Sequence, residues 1–172
     1  MQIKTKRLVL VPLEQKYASD LLELWGNEEV IRYTNARQLS SLKEVEEKID
    51  LFLKGDTADI YTSHFIVLKG KDVLGIAGLP IVNQEANIYG MYYQLIEKSW
   101  NKGYGTEVAK ALIDYACNVV QAECVIADAI TVNKASMRIL QSIGFKQVDV
   151  DECGFTRNGK TYDIANFKYT VE

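Results

Sequence analysis

The stretch Ser99–Ala116, SWNKGYGTEVAKALIDYA, places two glycines directly before a run with the apolar spacing of a helix. Glycine costs about 1 kcal/mol relative to alanine inside a helix, so Gly103 and Gly105 need an explanation. A helix N-terminus presents unpaired backbone N–H groups and the positive end of the helix dipole. Residues without a Cβ let an anion approach those groups closely. Taken alone, a GxG pair is explained equally well by an ordinary loop.

Two familiar phosphate-binding motifs do not account for these glycines. A P-loop requires the pattern GxxxxGK[ST], which the sequence does not contain. A dinucleotide fingerprint requires GxGxxG, but the third glycine position is Val108, on the apolar face of the predicted helix. If the stretch binds an anion, the site is of another kind, and the ordinary-loop interpretation stays open at this point.

Composition narrows the class of protein. The chain has 172 residues, is 48% apolar and carries a net charge of −3, which fits one globular domain over residues 1–172. We expect no nucleic-acid partner, because no long basic block is present. We expect no membrane partner and a cytoplasmic location, because no apolar stretch approaches the roughly 20 residues that span a bilayer. The three cysteines have no CxxC spacing and predict buried, reduced thiols.

The single histidine restricts the chemistry. His64 alone cannot build a His-rich metal site, and it lies in a strand-like run, where a structural role is the simpler interpretation. The usual Ser-His or Cys-His nucleophile pair is equally disfavoured. We therefore expect a reaction without a metal ion and without a covalent intermediate.

Hydrophobic periodicity predicts a mixed α+β domain around one sheet. The N-terminal third is mostly helical after a first strand, with Asn27 and Ser41 as helix caps. The middle is β-rich, with strands predicted over 72–82 and 87–96. Asn158–Gly159 suits the type I′ turn of a final hairpin. The predicted order is β, several α, three β, α, β, α, β, β.

Two motifs resemble those of GNAT N-acetyltransferases, and more narrowly the branch around the ribosomal-protein-alanine N-acetyltransferases. The first is similar to W-G-x-G-Y-A/G-T-E-A and is matched by Trp100, Gly103, Tyr104, Gly105, Thr106 and Glu107. The second is similar to N-x-x-S-x-x-[V/I]-L-x-x-x-G-F and is matched by Asn133, Ser136, Ile139, Leu140, Gly144 and Phe145. The opening TKRLVLVPL fits the same branch, so the resemblance spans nearly the whole chain.

The resemblance implies the GNAT fold, with a mixed central sheet of about seven strands flanked by helices. The strand that holds MYYQLI (91–96) and the strand CVIADAITV (124–132) would be parallel neighbours that splay apart. Acetyl-CoA would be the co-substrate, its pantetheine arm pairing near Leu95 and Ile96. Its pyrophosphate would lie over Asn101, Lys102, Gly103, Tyr104, Gly105 and Thr106, with Asn133 and Ser136 as further cofactor contacts.

The implied reaction is direct attack of a primary amine on acetyl-CoA within a ternary complex. A backbone N–H near Leu95 would stabilise the oxyanion. Many family members carry a tyrosine where this chain has Leu140, which cannot donate a proton. In the narrower branch a serine takes that role, which implies Ser136 as the catalytic acid. Ser136 could instead contact only the cofactor, or bond within its own helix.

The general base and the acceptor stay open at this stage. The branch implies a carboxylate near the final hairpin, for which Glu152 is the nearest glutamate, while Asp128 or a water chain could replace it. Asp163 matches a family aspartate that we expect to be structural. The acceptor could be a protein N-terminal α-amine or a small amine, and the protein could be a monomer or a homodimer. The alternative function is a catalytically idle acyl-CoA sensor.

Overall fold

The computed structural model describes residues 1–55 and 61–171. The helices are α1 (Ala18–Trp25), α2 (Glu28–Ile31), α3 (Leu42–Gly55), α4 (Tyr104–Asn118) and α5 (Lys134–Ser142). The strands are β1 (Ile3–Lys4), β2 (Val9–Pro12), β3 (His64–Lys69), β4 (Asp72–Gly78), β5 (Ile81–Asn83), β6 (Ile88–Gly90), β7 (Tyr92–Leu95), β8 (Cys124–Ile130), β9 (Lys146–Arg157) and β10 (Lys160–Thr170). None of the helices in these ranges is long and apolar enough to cross a membrane.

The strands form two five-stranded sheets where the sequence predicted one. The first sheet has the order β1-β2-β3-β4-β7, and its neighbours are all antiparallel. The second has the order β5-β6-β8-β10-β9 and contains one parallel pair, β6 with β8. The α+β class with a splayed parallel pair is confirmed, whereas the single sheet is wrong.

The division into two sheets occurs within two predicted strands. Within residues 87–96, β6 ends at Gly90 in the second sheet, and the chain continues from Tyr92 as β7 in the first sheet. The run 72–82 divides at Leu79–Pro80, where proline lacks the N–H needed to continue a ladder. The Pro80 carbonyl instead accepts a hydrogen bond from the Gly90 N–H at 2.8 Å, which joins the two crossing points.

The predicted caps and the final turn are present. Asn27 Oδ1 accepts the Glu29 N–H at 2.9 Å at the start of α2. Ser41 and Glu44 form a reciprocal capping box before α3, because the Glu44 N–H donates to Ser41 Oγ and the Ser41 N–H donates to Glu44 Oε2. Asn158 and Gly159 both have positive φ, as a type I′ turn requires.

Helix α1 connects the core to the strand that borders the splay. Leu21, Leu24 and Trp25 are fully buried, and α1 packs on both α3 and β4. The Trp25 indole N–H also donates to Gln94 Oε1 of β7 at 2.9 Å. This hydrogen bond fixes one face of β7 and leaves its other face directed toward α4 and α5.

The cysteine prediction is correct for one thiol and wrong for another. Cys124 is buried, Cys117 is half-buried and Cys153 is exposed. Cys153 lies on β9, the edge strand of the second sheet, and the first nine residues of this strand, 146–154, are all exposed. The side chain of Cys153 therefore has no core to enter at this point of β9.

Replacing Gly75 by alanine is expected to separate β7 from the first sheet. A Cβ there would overlap the Gln94 carbonyl oxygen and lie 2.9 Å from Leu95 Cα, so backbone must shift. We expect Gly75→Ala to lower the free energy of unfolding by about 3 kcal/mol, measured by urea denaturation. Gly55→Ala is the control, because a Cβ at Gly55 meets nothing within 4 Å. Equal stability of the two variants would contradict the close packing at Gly75.

Candidate active site

The two sheets part at Met91. Parallel pairing of β6 with β8 ends at Gly90 and Ile126, and the Met91 N–H donates to the Ile126 carbonyl at 2.9 Å. Five residues later the Ile96 N–H bonds Leu74 of β4 at 2.8 Å. Hydrogen-bonded pairs alternate along antiparallel strands, so the N–H groups of Tyr93 and Leu95 face away from β4, into the splay.

Helix α4 begins at one end of the splay without a side-chain cap. Its N-cap Gly103 has φ 77°, in the left-handed region, and among the described residues no side chain caps the first turn. Asn101 also has a positive φ of 58°, which asparagine tolerates better than most residues. The first N–H groups of α4 therefore point out of the helix with the positive end of its dipole.

An ion-pair network holds the start of α4 against the β1–β2 hairpin. Glu107 Oε2 lies 2.7 Å from Arg7 Nε, and Glu107 Oε1 accepts the Arg7 N–H at 2.8 Å and the Thr5 hydroxyl at 2.5 Å. Arg7 Nη1 also donates to the Lys102 carbonyl at 2.9 Å. Desolvation alone would raise the pKa of Glu107, but the hydrogen bonds from Thr5 and Arg7 outweigh it and lower the pKa.

Cations surround the uncapped end of α4. Lys69 Nζ donates to the Tyr104 hydroxyl at 2.7 Å, and the Arg7 guanidinium lies 4.5 Å from the centre of the Tyr104 ring. The hydrogen bond from Lys69, followed by the nearby charges of Lys69, Arg7 and Lys102, lowers the pKa of Tyr104. This end of the cleft is thus suited to a negatively charged group.

Helix α5 forms the opposite wall of the splay. Asn133 Oδ1 accepts the Ser136 N–H at 3.3 Å and caps the helix. Ser136 and Ile139 line the cleft from this side. Ile139 also sets the distance to α4, since a Cβ on Gly105 would lie 3.1 Å from Ile139 Cδ1 and 3.5 Å from the Tyr93 ring. Gly105 therefore has a packing role between the two walls.

The cleft has a volume of about 580 Å³, and α2 and the residues after it line its far end. Glu29, Arg32 and Tyr33 line this end. Arg157 of β9, only 18% exposed, holds the segment from behind. Its Nη1 donates to the carbonyls of Thr34 at 3.1 Å and Ala36 at 2.8 Å, while Nε pairs with a Glu28 oxygen at 3.3 Å.

The chain matches a family model described as an acetyltransferase (GNAT) domain over residues 7–146. The chain belongs to the GNAT family. The family membership inferred from the two motifs is therefore confirmed, and with it the prediction of an N-acetyltransferase. The β9–β10 hairpin lies almost wholly beyond the matched residues.

Named relatives agree with this assignment. The uncharacterized N-acetyltransferase p20 of Bacillus licheniformis is 28% identical over 167 residues, which cover 95% of this chain and 92% of the relative. The uncharacterized N-acetyltransferase YoaA of Bacillus subtilis (strain 168) is 25% identical, covering 94% and 92%.

Solved structures share the fold at low sequence identity. The ribosomal L7/L12 α-N-protein acetyltransferase RimL, in complex with coenzyme A, has a TM-score of 0.90 at 13% identity, covering 99% of this chain and 98% of that one. The spermidine N-acetyltransferase of Vibrio cholerae, in complex with CoA and spermine, has a TM-score of 0.85 at 18% identity, covering 96% of each chain.

The GNAT cleft brings together most of the residues predicted from the motifs. Those that line it are Leu95, Asn101, Gly103, Tyr104, Gly105, Thr106, Asn133 and Ser136. Ile96 is buried outside the lining, and its N–H is already bonded to Leu74. Lys102 turns outward, where its Nζ donates to the Lys98 carbonyl at 2.7 Å.

The carboxylates considered as general bases lie outside the GNAT cleft. Glu152 is exposed on β9 and is not among the lining residues. Asp128 lies on β8 beside Asp151, and the residue as a whole is exposed. Desolvation of its carboxyl group, and secondly the negative charge of Asp151, raise the pKa of Asp128. Asp163 accepts the Cys153 N–H at 2.9 Å within the hairpin, in accord with the structural role expected for it.

Sequence reasoning missed three side chains that shape the GNAT cleft: Arg7, Tyr93 and Arg157. Arg7 stands in the opening TKRL, one hundred residues before the glutamate with which it pairs. Tyr93 is one of ten tyrosines in the chain, and nothing in its neighbourhood marks it out. Only the three-dimensional arrangement identifies these residues.

Removing the charge of Glu107 is expected to destabilise the GNAT domain in a pH-dependent way. Glu107→Gln should lower the free energy of unfolding by about 1 kcal/mol at pH 7, since Arg7 loses its partner. The pKa of Glu107 is lower in the folded protein than its unfolded value of 4.5. The ionised carboxylate therefore contributes its full stabilisation of the folded state above pH 4.5, and this stabilisation is lost as the pH falls through the folded pKa. Urea denaturation at about pH 7 and about pH 3 should show the difference shrinking.

The control for this measurement is Glu47→Gln. Glu47 is 64% exposed and pairs with Lys43 at 4.0 Å, so its loss should change stability by less than about 0.5 kcal/mol. A pH-independent effect of Glu107→Gln would mean that shape, and not charge, is what Glu107 contributes.

Proposed function

We propose that the protein transfers the acetyl group of acetyl-CoA to an α-amine, by direct attack of the uncharged amine on the thioester. The observation that carries this proposal is the splay itself, with the uncapped α4 N-terminus at one end and the Ser136 wall beside it. A catalytically idle acyl-CoA sensor would share the donor end of the cleft. Turnover distinguishes the two functions.

The donor end fits the chemistry of coenzyme A. A pyrophosphate requires N–H donors and positive charge; the first turn of α4 supplies the donors, and Lys69, whose Nζ bonds the Tyr104 hydroxyl, adds positive charge. A pantetheine arm carries amides that can pair with an open strand edge, and Leu95 presents its N–H on that side of β7. The Leu95 carbonyl is engaged by the Trp100 indole N–H at 2.8 Å, which holds the strand end in place.

The same strand edge suits transition-state stabilisation. Attack on a thioester carbonyl places negative charge on its oxygen, and a fixed N–H in a cleft stabilises that charge effectively. Leu95 is the residue proposed to supply this N–H. Ser136, on the facing wall, is proposed to contact the departing thiol end of the cofactor.

The charges at the acceptor end favour an α-amine. Among the described residues that line the cleft, Glu29 supplies the one carboxylate, and it is paired with Arg32 at 3.0 Å. The enzyme therefore offers little to deprotonate a strongly basic amine. An α-amine with a pKa near 7.7–8.0 is about one-third uncharged at pH 7.5, against roughly one in a thousand for an alkylamine of pKa about 10.4.

An isosteric charge at Asn101 tests the donor end. Asn101→Asp keeps the tolerance for positive φ and adds a negative charge where we place the pyrophosphate. The acetyl-CoA KM should rise about tenfold with a smaller change in kcat. Asn158→Asp is the matched control, because Asn158 has a φ of 51° in the distal hairpin turn. Equal KM values for both variants would exclude a phosphate at Asn101.

An acceptor panel with labelled acetyl-CoA tests the acceptor end. A peptide with a free N-terminus should be acetylated faster than the same peptide blocked at its N-terminus and carrying lysine, and faster than spermidine. The value of kcat/KM should rise with pH and level off above about 8, where the α-amine is uncharged. Preference for spermidine would contradict the proposed acceptor. Absence of turnover on the whole panel, with tight acetyl-CoA binding, would favour the sensor.

A further inference from the structure

Gln94 lies on β7, and its side chain is on the face of the strand opposite to that of Tyr93. Side chains alternate along a strand, so Tyr93, whose ring packs at Gly105 of α4, is on the α4 side and Gln94 is on the α1 side. Gln94 Oε1 accepts the indole N–H of Trp25, the last residue of α1, at 2.9 Å. The residue is half-buried and lines the cleft.

The indole of Trp25 determines which way the Gln94 amide is turned. An indole N–H is only a donor, so the oxygen of the amide must face it and the nitrogen must point elsewhere. Trp25 is itself held in place, because it is fully buried, with the Phe52 ring centred 5.9 Å away and Lys48 Nζ 4.2 Å from the centre of the indole. The amide of Gln94 therefore has one fixed orientation.

The nitrogen of this amide, Nε2, carries N–H donors that no described residue accepts. Among the described residues, the unpaired side-chain atoms that are inaccessible to solvent are Gln15 Oε1 and the Tyr93 hydroxyl oxygen. Gln94 Nε2 is not one of them, so it is accessible. Because Gln94 lines the cleft, these donors are available to a molecule that binds there.

Gln94 is placed between the donor end and the acceptor end of the cleft. Its neighbour Leu95 presents the N–H proposed for the thioester oxygen, and neighbouring Cα atoms are about 3.8 Å apart. On its other side, the segment that lines the far end starts after Trp25 with α2 and returns to it, since the Leu39 N–H donates to the Trp25 carbonyl at 3.0 Å. A group bound by Gln94 would therefore lie on the acceptor side, next to the reacting carbonyl.

We propose that Gln94 determines acceptor specificity by donating a hydrogen bond from its Nε2 to a carbonyl oxygen beside the acceptor amine. The inference rests on the proposed function and narrows the acceptor to an amine on a carbon that also bears a carbonyl group, as at the N-terminus of a peptide. The hydrogen bond at the carbonyl then orients the nitrogen toward the thioester carbon. A polyamine or a lysine side chain has no such oxygen, so the donor would lose its water without a replacement.

Gln94→Glu removes the donor and preserves the contact that holds the residue. One carboxylate oxygen can still accept the Trp25 N–H, whereas the other oxygen cannot donate. The two acceptors to compare are a peptide with a free N-terminus and the same peptide with a trans alkene in place of its first amide, which keeps the shape without the carbonyl oxygen. We expect kcat/KM to fall about tenfold more for the natural peptide than for the alkene peptide.

Comparing the two acceptors separates the lost donor from effects of charge and folding. The new charge acts on the amine of both peptides, and a smaller folded fraction would slow both equally. Gln94→Met removes the donor without adding a charge and should give the same selective loss. Gln147→Glu is the control, because Gln147 is exposed on β9 and is not among the residues that line the cleft. It should keep the ratio between the two peptides that the unchanged protein shows.

The outcomes distinguish this inference from the proposed function. An equal fall in kcat/KM for the two peptides, or no fall in either Gln94 variant, would overturn the role of Gln94 and leave the proposed function intact. If the unchanged protein bound acetyl-CoA but acetylated neither peptide, the proposed α-amine acceptor would be wrong, and the role of Gln94 would be rejected with it.

Discussion

The structure depends on one segment, residues 87–96, whose backbone changes its hydrogen-bond partner from one sheet to the other. Up to Met91 the backbone pairs with β8, and from Tyr92 it pairs with β4. Neither sheet can satisfy both edges of β7, because the two sheets diverge at that point. An unpaired strand edge is normally a cost in the interior of a protein. Here it faces a cleft of about 580 Å³, which the start of α4 and the first turns of α5 also line.

The site also depends on the position of the α4 N-terminus and on the positive end of the helix dipole there. Glu107 lies in the first turn, where a free carboxylate would weaken the field of the helix dipole. Pairing with Arg7 neutralises that carboxylate and ties the helix to the β1–β2 hairpin through the same contact. Lys69 and Lys102 then leave the helix end with an excess of positive charge. The Arg7–Glu107 ion pair therefore both stabilises the position of α4 and keeps the helix N-terminus positive.

The sequence predicted local structure and the motif residues well, because caps, turns and glycine positions are encoded within a few neighbouring residues. The caps at Asn27 and Asn133 and the turn at Asn158 are examples. It did not predict the break at Met91, because an apolar strand has the same pattern whichever sheet it joins. It missed Arg7 for the related reason that its partner is one hundred residues away.

One end of the cleft presents mainly main-chain groups and the other mainly side chains, and this difference affects which mutations the cleft can tolerate. The donor end is built largely from main-chain groups of β7 and α4, which most substitutions leave in place. The far end presents side chains of α2, on a segment that Arg157 holds by main-chain oxygens. Apart from Glu28, which pairs with Arg157, and Ile31, which is buried, the side chains of α2 can therefore change without releasing that wall. Under the proposed function, selectivity for the acceptor could therefore change by mutation while the main-chain groups at the other end stay in place.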